Sequence, residues 1–205
     1  MAEARNSFHG LLAFPRIYRA VQGLLSKQGA RDIVISRYLR PVAGENLLDV
    51  GCGPGTLLQF LDEVNYTGID RNERYITEAQ ARYGSRGRFI LADVGEVAGM
   101  GFPPFDIVTM FGLLHHLDDL EVASLMAAVR PLLREGGRVV TVDPCFVDRQ
   151  NPIAWLLARM DRGRNVRRAD VYRALAAATF PKVELHVHGD LMRVPYNHAI
   201  MVCSA

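Results

Sequence analysis

Cysteine is scarce in this chain of 205 residues: Cys52, Cys145 and Cys203 are odd in number and too widely spaced for a CxxC pair. That excludes a disulfide framework and paired-cysteine redox or metal chemistry. They read as thiols of a reducing compartment, so the expected location is cytoplasmic. Lysine is scarcer still, since 22 of the 24 cationic residues are Arg. Aromatics reach only 8%, with one tryptophan, and no run of them interleaves with the arginines. The stacking platform that single-stranded nucleic acid requires is therefore missing. No apolar run approaches the ~18 to 20 residues of a membrane span, and the opening MAEARNSFHG lacks the apolar stretch of a cleavable signal. Peripheral contact is the one kind of membrane association left open. Repeats, low-complexity tracts and Pro/Gly/Ser linkers are also absent.

What is present is the composition of a globular chain with a sizeable core, 49% hydrophobic and 22% charged. The net charge of +2 hides a division: +5 over residues 1–40, −8 over 41–148, +6 over 149–182 and −1 beyond. Short apolar runs alternate with helical patterns from residue 45 onward. LLDV (47–50), YTGID (66–70), RFILAD (88–93), FDIVTM (105–110) and RVVTVD (138–143) read as buried parallel strands. Helices are expected over 55–63, 72–83 and 118–134, with a turn at 95–99, a Gly136-Gly137 stop after the third helix and Leu120 on its apolar stripe. Helices near 151–160 and 169–178 follow, and KVELHVH (182–188) with HAIMVCS (198–204) forms a closing hairpin. This alternation predicts βαβ units, with helices on both faces of one sheet. The expected organisation is one domain over 1–205: a helical cap (1–44), a core (45–143), and a last part (144–205) of helices and hairpin. Within the cap, residues 16–27 set Ile17, Val21, Leu24 and Leu25 on one helical stripe, as an edge cover for the domain.

The most informative string is LLDVGCGPG, 47–55. A strand ends at Asp49-Val50, and Gly51, Gly53 and Gly55 follow at alternate positions before a helix. Glycines there permit positive φ and let a ligand approach the backbone, while the helix start offers free N–H groups. A dinucleotide fingerprint would need glycine at 56, where Thr56 stands. About twenty residues on, Asp70 closes the second strand, where an acid can accept both ribose hydroxyls. Asp93 closes the third, within reach of an adenine amine.

The strings LLDVGCGPG, YTGID, FILADV, FDIVTMFGLLHHL and LLREGGRVVTVDP, in this order and spacing, resemble the class I S-adenosylmethionine-dependent methyltransferases. The resemblance implies an α/β, doubly wound, Rossmann-like sheet of seven strands in the order 3-2-1-4-5-7-6, strand 7 alone antiparallel. It implies S-adenosylmethionine as cofactor, with Asp49 and Gly51 at its methionine end, Asp70 at the ribose, Asp93 and the Val94 amide at the adenine and the Phe111 backbone at the amino group. Gly53, Gly55 and Arg71 complete the expected cofactor set.

A sulfonium already activates its methyl group, so the protein has to align a nucleophile and exclude water. A hydroxyl acceptor also needs a base, and His115 and His116, just after the fourth strand, are the candidates. The base-methylating motif of nucleic-acid enzymes is absent after that strand, which reads Met110-Phe111-Gly112-Leu113. Met110 also leaves no acid for a catechol-type metal site, and His186 with His188 lacks a third ligand, so no metal is expected. The loop 189–198 should overhang the site, making Arg193, Tyr196 and His198 acceptor-side candidates. Arg164 and Arg167, in the basic stretch with Arg162 and Arg168, are expected on the same rim. The expected acceptor is a small molecule, with anionic sugar or lipid precursors suggested by these arginines. A noncatalytic cofactor-binding protein and a nicotinamide oxidoreductase are the alternatives.

Overall fold

The computed structural model describes residue 27, residues 29–161 and residues 163–204. Apart from Lys27, the helix expected over 16–27 lies outside the described residues, and so does Arg162. The apolar runs form β1 (Asn46–Val50), β2 (Asn65–Asp70), β3 (Gly87–Leu91), β4 (Phe105–Phe111), β5 (Leu133–Phe146), β7 (Lys182–His188) and β8 (His198–Ser204), with a two-residue β6 (Arg167–Arg168) beside the end of β5. The helices are α1 (Ala30–Val34), extended by a π-helical turn (Ile35–Leu39), α2 (Glu73–Tyr83), α3 (Asp119–Val129), α4 (Pro152–Arg159) and α5 (Ala169–Ala177).

The strand order is β3-β2-β1-β4-β5-β8-β7, and β8 runs antiparallel to both neighbours while β1 to β5 are mutually parallel. This is the expected topology, the small β6 alone shifting the numbering. Strands covered on both faces have no polar side to show, which is why they read as continuous apolar runs. Along β4 and β5, Val108, Met110 and Val139 join the core beneath α3 and α5, while Ile107 and Val140 join the core beneath α1 and α2.

Several local expectations need correction. The helix foreseen over 55–63 is a 3₁₀ turn, Thr56–Phe60. Leu61 is fully buried and already extended, because the chain must return to start β2 at Asn65. α3 stops at Val129 because Pro131 lacks an N–H, and a 3₁₀ turn (Arg130–Leu132) follows. Gly136 and Gly137 therefore lie inside β5, longer than 138–143; a Cβ at Gly137 would stand 3.0 Å from the Phe105 carbonyl oxygen, in the strand alongside. β3 ends at Leu91, so Asp93 lies beyond it and caps the 3₁₀ turn Val94–Gly99. Leu120 is 80% exposed rather than in the core. It occupies the first turn of α3, which Asp118 and Glu121 fix by a reciprocal capping box at the cleft rim.

Because β4 is the middle strand, its burial tests the core. Ile107 is fully buried there, and Ile107→Ala is expected to cost about 2 to 5 kcal/mol, read as a lower urea midpoint at unchanged slope.

Candidate active-site cleft

The parallel strands bring their carboxyl ends to one edge, where open α/β sheets form their crevice. The cleft there has two lobes. The larger, about 580 Å³, is lined by Gly53, Asp70, Arg71, Asp93, Val94 and the cleft side of α3. The smaller, about 360 Å³, is lined by Asp49, Leu57, Val142, His115, Asp161, Leu191, Tyr196 and His198. Gly51, Gly53, Phe111, Gly112 and His116 belong to both, so the lobes meet at the turns after β1 and β4.

The glycine turn is bound by its own acids. Gly51 and Cys52 donate backbone N–H bonds to the Ile69 carbonyl at 2.8 and 2.9 Å. Gly53 N–H donates to Asp70 Oδ2 at 2.9 Å, and Asn72 N–H donates to Asp70 Oδ1 at 2.8 Å. Gly53 has φ +54°, and nothing lies within 4 Å of where a Cβ would stand. Gly53 also lines both lobes of the cleft. Gly55 differs: it lines neither lobe, and a Cβ there would meet the Phe89 ring at 2.9 Å, so it is a packing glycine rather than part of the expected cofactor set. Asp49 is buried within β1, where Tyr66 donates to it at 2.6 Å and Thr109 at 2.8 Å. Burial raises its pKa to about 6 against those two bonds. Asp93 accepts from Gly95 N–H at 3.0 Å and lines the larger lobe.

His115 lies on the 3₁₀ turn Leu114–His116 and is 6% exposed. Its Nδ1 is 2.8 Å from Asp143 Oδ1, its backbone N–H donates to the same oxygen at 3.2 Å, and its Nε2 is 3.3 Å from Asp161 Oδ1. Burial disfavours the charged ring, but the two carboxylates prevail and lift the pKa to about 9. Asp161 also accepts from Gly163 N–H at 2.9 Å and from the Tyr196 hydroxyl at 2.5 Å. Although burial opposes it, the bond from His115 holds Asp161 below the usual carboxylate range. His198 packs on Tyr196 with ring centroids 5.2 Å apart, and burial lowers its pKa to about 4, so it is neutral at pH 7. His116 stacks on His115 at 4.1 Å and reaches both lobes.

The expected arginine rim does not form. Arg167 is buried, with Nε and Nη2 on Asp119, both at 2.7 Å, and further bonds to the Leu114 carbonyl at 2.9 Å and the Leu117 carbonyl at 2.7 Å. It clamps the turn that carries His115, because a guanidinium taken out of water must spend its donors nearby. Arg164 and Arg193 are exposed and line neither lobe. Two site residues were not singled out in advance. Asp143 had a usable signal, an acid at the end of a strand on the same edge, whereas Asp161 sits in a loop without periodicity. Among the described residues no cluster of His, Cys, Asp and Glu could hold a metal ion.

Comparison with known proteins adds a family relation. Residues 47–137 match the family described as "Methyltransferase domain". A ubiquinone biosynthesis O-methyltransferase of Thiobacillus denitrificans is 35% identical over 104 residues, covering 48% of this chain and 44% of that protein. The O-methyltransferase resE of Aspergillus sclerotiorum is 34% identical over 148 residues, covering 65% and 55%. The chain thus spans about half the length of the curated relatives it matches. Among solved structures, the mitomycin 7-O-methyltransferase MmcR superposes with a TM-score of 0.71 at 17% identity, over 94% of this chain and 56% of that one. That likeness establishes the fold.

The charge on His115 has a measurable consequence for stability. Its pKa is about 9 in the fold against 6.5 as a free side chain. The stabilisation, of order 3 kcal/mol, is therefore complete below about pH 6.5 and lost as pH rises through 9. Melting temperature should fall over that window, and His115→Asn should flatten the fall. A melting profile in His115→Asn that falls as steeply as in the parent would contradict the ion pairs.

Proposed function

We propose that this chain, a member of the class I S-adenosylmethionine-dependent methyltransferases, methylates a hydroxyl of a small organic molecule held in the smaller lobe. The observation that carries this reading is the junction of the lobes: Gly53 and His116 line both, and His115 lines the smaller beside them. The residues present fit the cofactor. The larger lobe offers Asp70 and Asp93 at its acidic wall and the Val94 backbone beside them, and Gly53 leaves room at its floor. Arg71 lines the same lobe, Phe111 and Gly51 lie at the junction, and Asp49 is on the far side toward the acceptor. When bound, S-adenosylmethionine supplies a methyl group activated by its sulfonium.

His115 then serves as the general base through Nε2, the nitrogen on the cleft side. Asp143 accepts a hydrogen bond from Nδ1–H and so fixes the tautomer, and Arg167 holds the turn in place. Asp161 stands where the acceptor hydroxyl must approach, so the hydroxyl inserts between it and the imidazole. His116, at the junction, shapes the path between lobes. The walls Leu57, Val142, Leu191 and Tyr196 are apolar or aromatic, and Asp49 and Asp161 add negative charge. Arg31, which also lines this lobe, and His115 balance those two carboxylates, so an uncharged aromatic or apolar hydroxyl compound suits it better than the anionic precursors suggested by charge alone.

Three measurements test the reading. Calorimetry should give S-adenosylhomocysteine binding and no NAD binding. Asp70→Ala, which removes a carboxylate from the larger lobe and unties Gly53, should weaken that binding by about a hundredfold. In an acceptor screen, His115→Ala should lower kcat by ~100-fold or more with cofactor affinity retained, and His116→Ala by much less. The base works only as the neutral ring, so kcat/KM should climb with pH and level off near 9. Cofactor binding with no turnover of any hydroxyl compound would favour a noncatalytic binding protein.

A further inference from the structure

The basic stretch after β5 contains a helix that packs inside out. α4 turns its small residues inward, Ala154 at 2% and Ala158 at 3% exposure, and leaves Ile153, Trp155, Leu156 and Met160 outward at 57, 47, 50 and 56%. Ile153, Leu156 and Met160 follow helical spacing and share one stripe, with Trp155 at its margin. A helix serving the core alone would place these four inward. A contiguous apolar face of this kind marks an interaction surface.

Its surroundings are cationic. Arg149, just ahead of α4, and Arg164, just after it, are exposed and have no ion pair or hydrogen bond among the described residues. Arg159 lies over the Trp155 ring at 5.5 Å. Between residues 148 and 170 there are six arginines and three aspartates, and the aspartates are already engaged. Asp148 and Asp170 bind Arg168, and Asp161 binds His115 and Tyr196. The free charge at this face is therefore positive.

We infer that the α4 face docks on an anionic lipid surface, with Ile153, Trp155, Leu156 and Met160 in the interfacial layer and Arg149, Arg159 and Arg164 on the headgroups. Tryptophan and long aliphatic chains suit that depth, and arginine is drawn to anionic headgroups. A two-fold pairing of α4 with itself would set these arginines against their own copies, which disfavours a second copy as occupant. Met160 immediately precedes Asp161, a wall of the smaller lobe, so docking would bring the mouth of that lobe to the lipid. An acceptor dissolved in the bilayer would then reach His115 without crossing water. The docking itself does not depend on the methyl-transfer reading.

Trp155 is the chain's only tryptophan, so its fluorescence reports this face alone. The full chain is titrated with vesicles of phosphatidylcholine, with and without phosphatidylglycerol. On the anionic vesicles the emission should shift to the blue and be quenched by lipid brominated near the headgroup, and added salt should weaken the response. Arg149→Glu with Arg164→Glu should weaken vesicle affinity by about tenfold or more. Ile153→Ser with Leu156→Ser should abolish the shift, while an unchanged far-UV circular dichroism spectrum and melting temperature show that each variant is folded. No shift on saturating anionic vesicles, or an equal shift on neutral ones that ignores the charge reversals, would overturn the inference. So would emission already blue-shifted in dilute lipid-free protein, meaning the chain covers the face itself. A shift that follows protein concentration would also overturn it and give the face to a second copy.

Discussion

Parallel pairing of β1 to β5 is the constraint from which the cleft follows. Each strand must return by a crossover of one hand, so every carboxyl end arrives at the same edge of the sheet. Asp49, Asp70, Asp93, His115 and Asp143 are scattered over nearly a hundred residues, yet they meet because each lies in or just past a strand. The antiparallel β8 adds the loop before it, with Leu191 and Tyr196, to the same edge. Shifting any one strand by a residue would exchange its two faces and move its acid out of the cleft.

Within that edge the chain gathers charge that burial alone would forbid. His115, Asp143, Asp161 and the Arg167 guanidinium are all wholly or largely withdrawn from water, which is costly unless each is paired. Pairing here also arranges the chemistry. Asp143 and Asp161 hold the imidazole between them, and Arg167 spends its donors on the carbonyls of the turn beneath it. A ring bound on both nitrogens cannot drift, so the gain is in orientation, and the cost is an imidazole that is mostly protonated near neutrality. In the proposed reaction, insertion of an acceptor hydroxyl between Nε2 and Asp161 would relieve one of the two carboxylates and lower the pKa when His115 is to accept a proton.

The legible parts of the sequence were those with local repetition. Apolar runs gave seven strands, the family resemblance supplied their order, and the glycine turn with Asp70 and Asp93 pointed to residues that line the larger lobe of the cleft. Contacts set by tertiary packing were illegible. Gly55 and Gly53 look alike in GCGPG, and only the Phe89 ring beside one and open space beside the other distinguish them. Leu120 fits a core stripe by spacing, yet the capping box at Asp118 starts the helix where that position faces the cleft. Asp161 has no pattern to announce it, because its role depends on His115 and Tyr196 from two other segments.

The arginines show why charge read along the chain misleads about charge in space. Six of them lie between residues 148 and 170, and a sequence has no means of sorting them. The fold sorts the described ones by what each can reach. Arg167 finds three backbone carbonyls and a carboxylate and becomes a buried clamp. Arg168 finds Asp148 and Asp170 and becomes a surface ion pair of little energetic consequence. Arg149 and Arg164 find no partner among the described residues, and they flank a helix whose large apolar side chains also face outward. A positive field therefore lies at the outer face of α4, whereas in the smaller lobe Arg31 and His115 stand against Asp49 and Asp161. The same +6 that suggested an anionic substrate is thus better spent, physically, on an anionic surface.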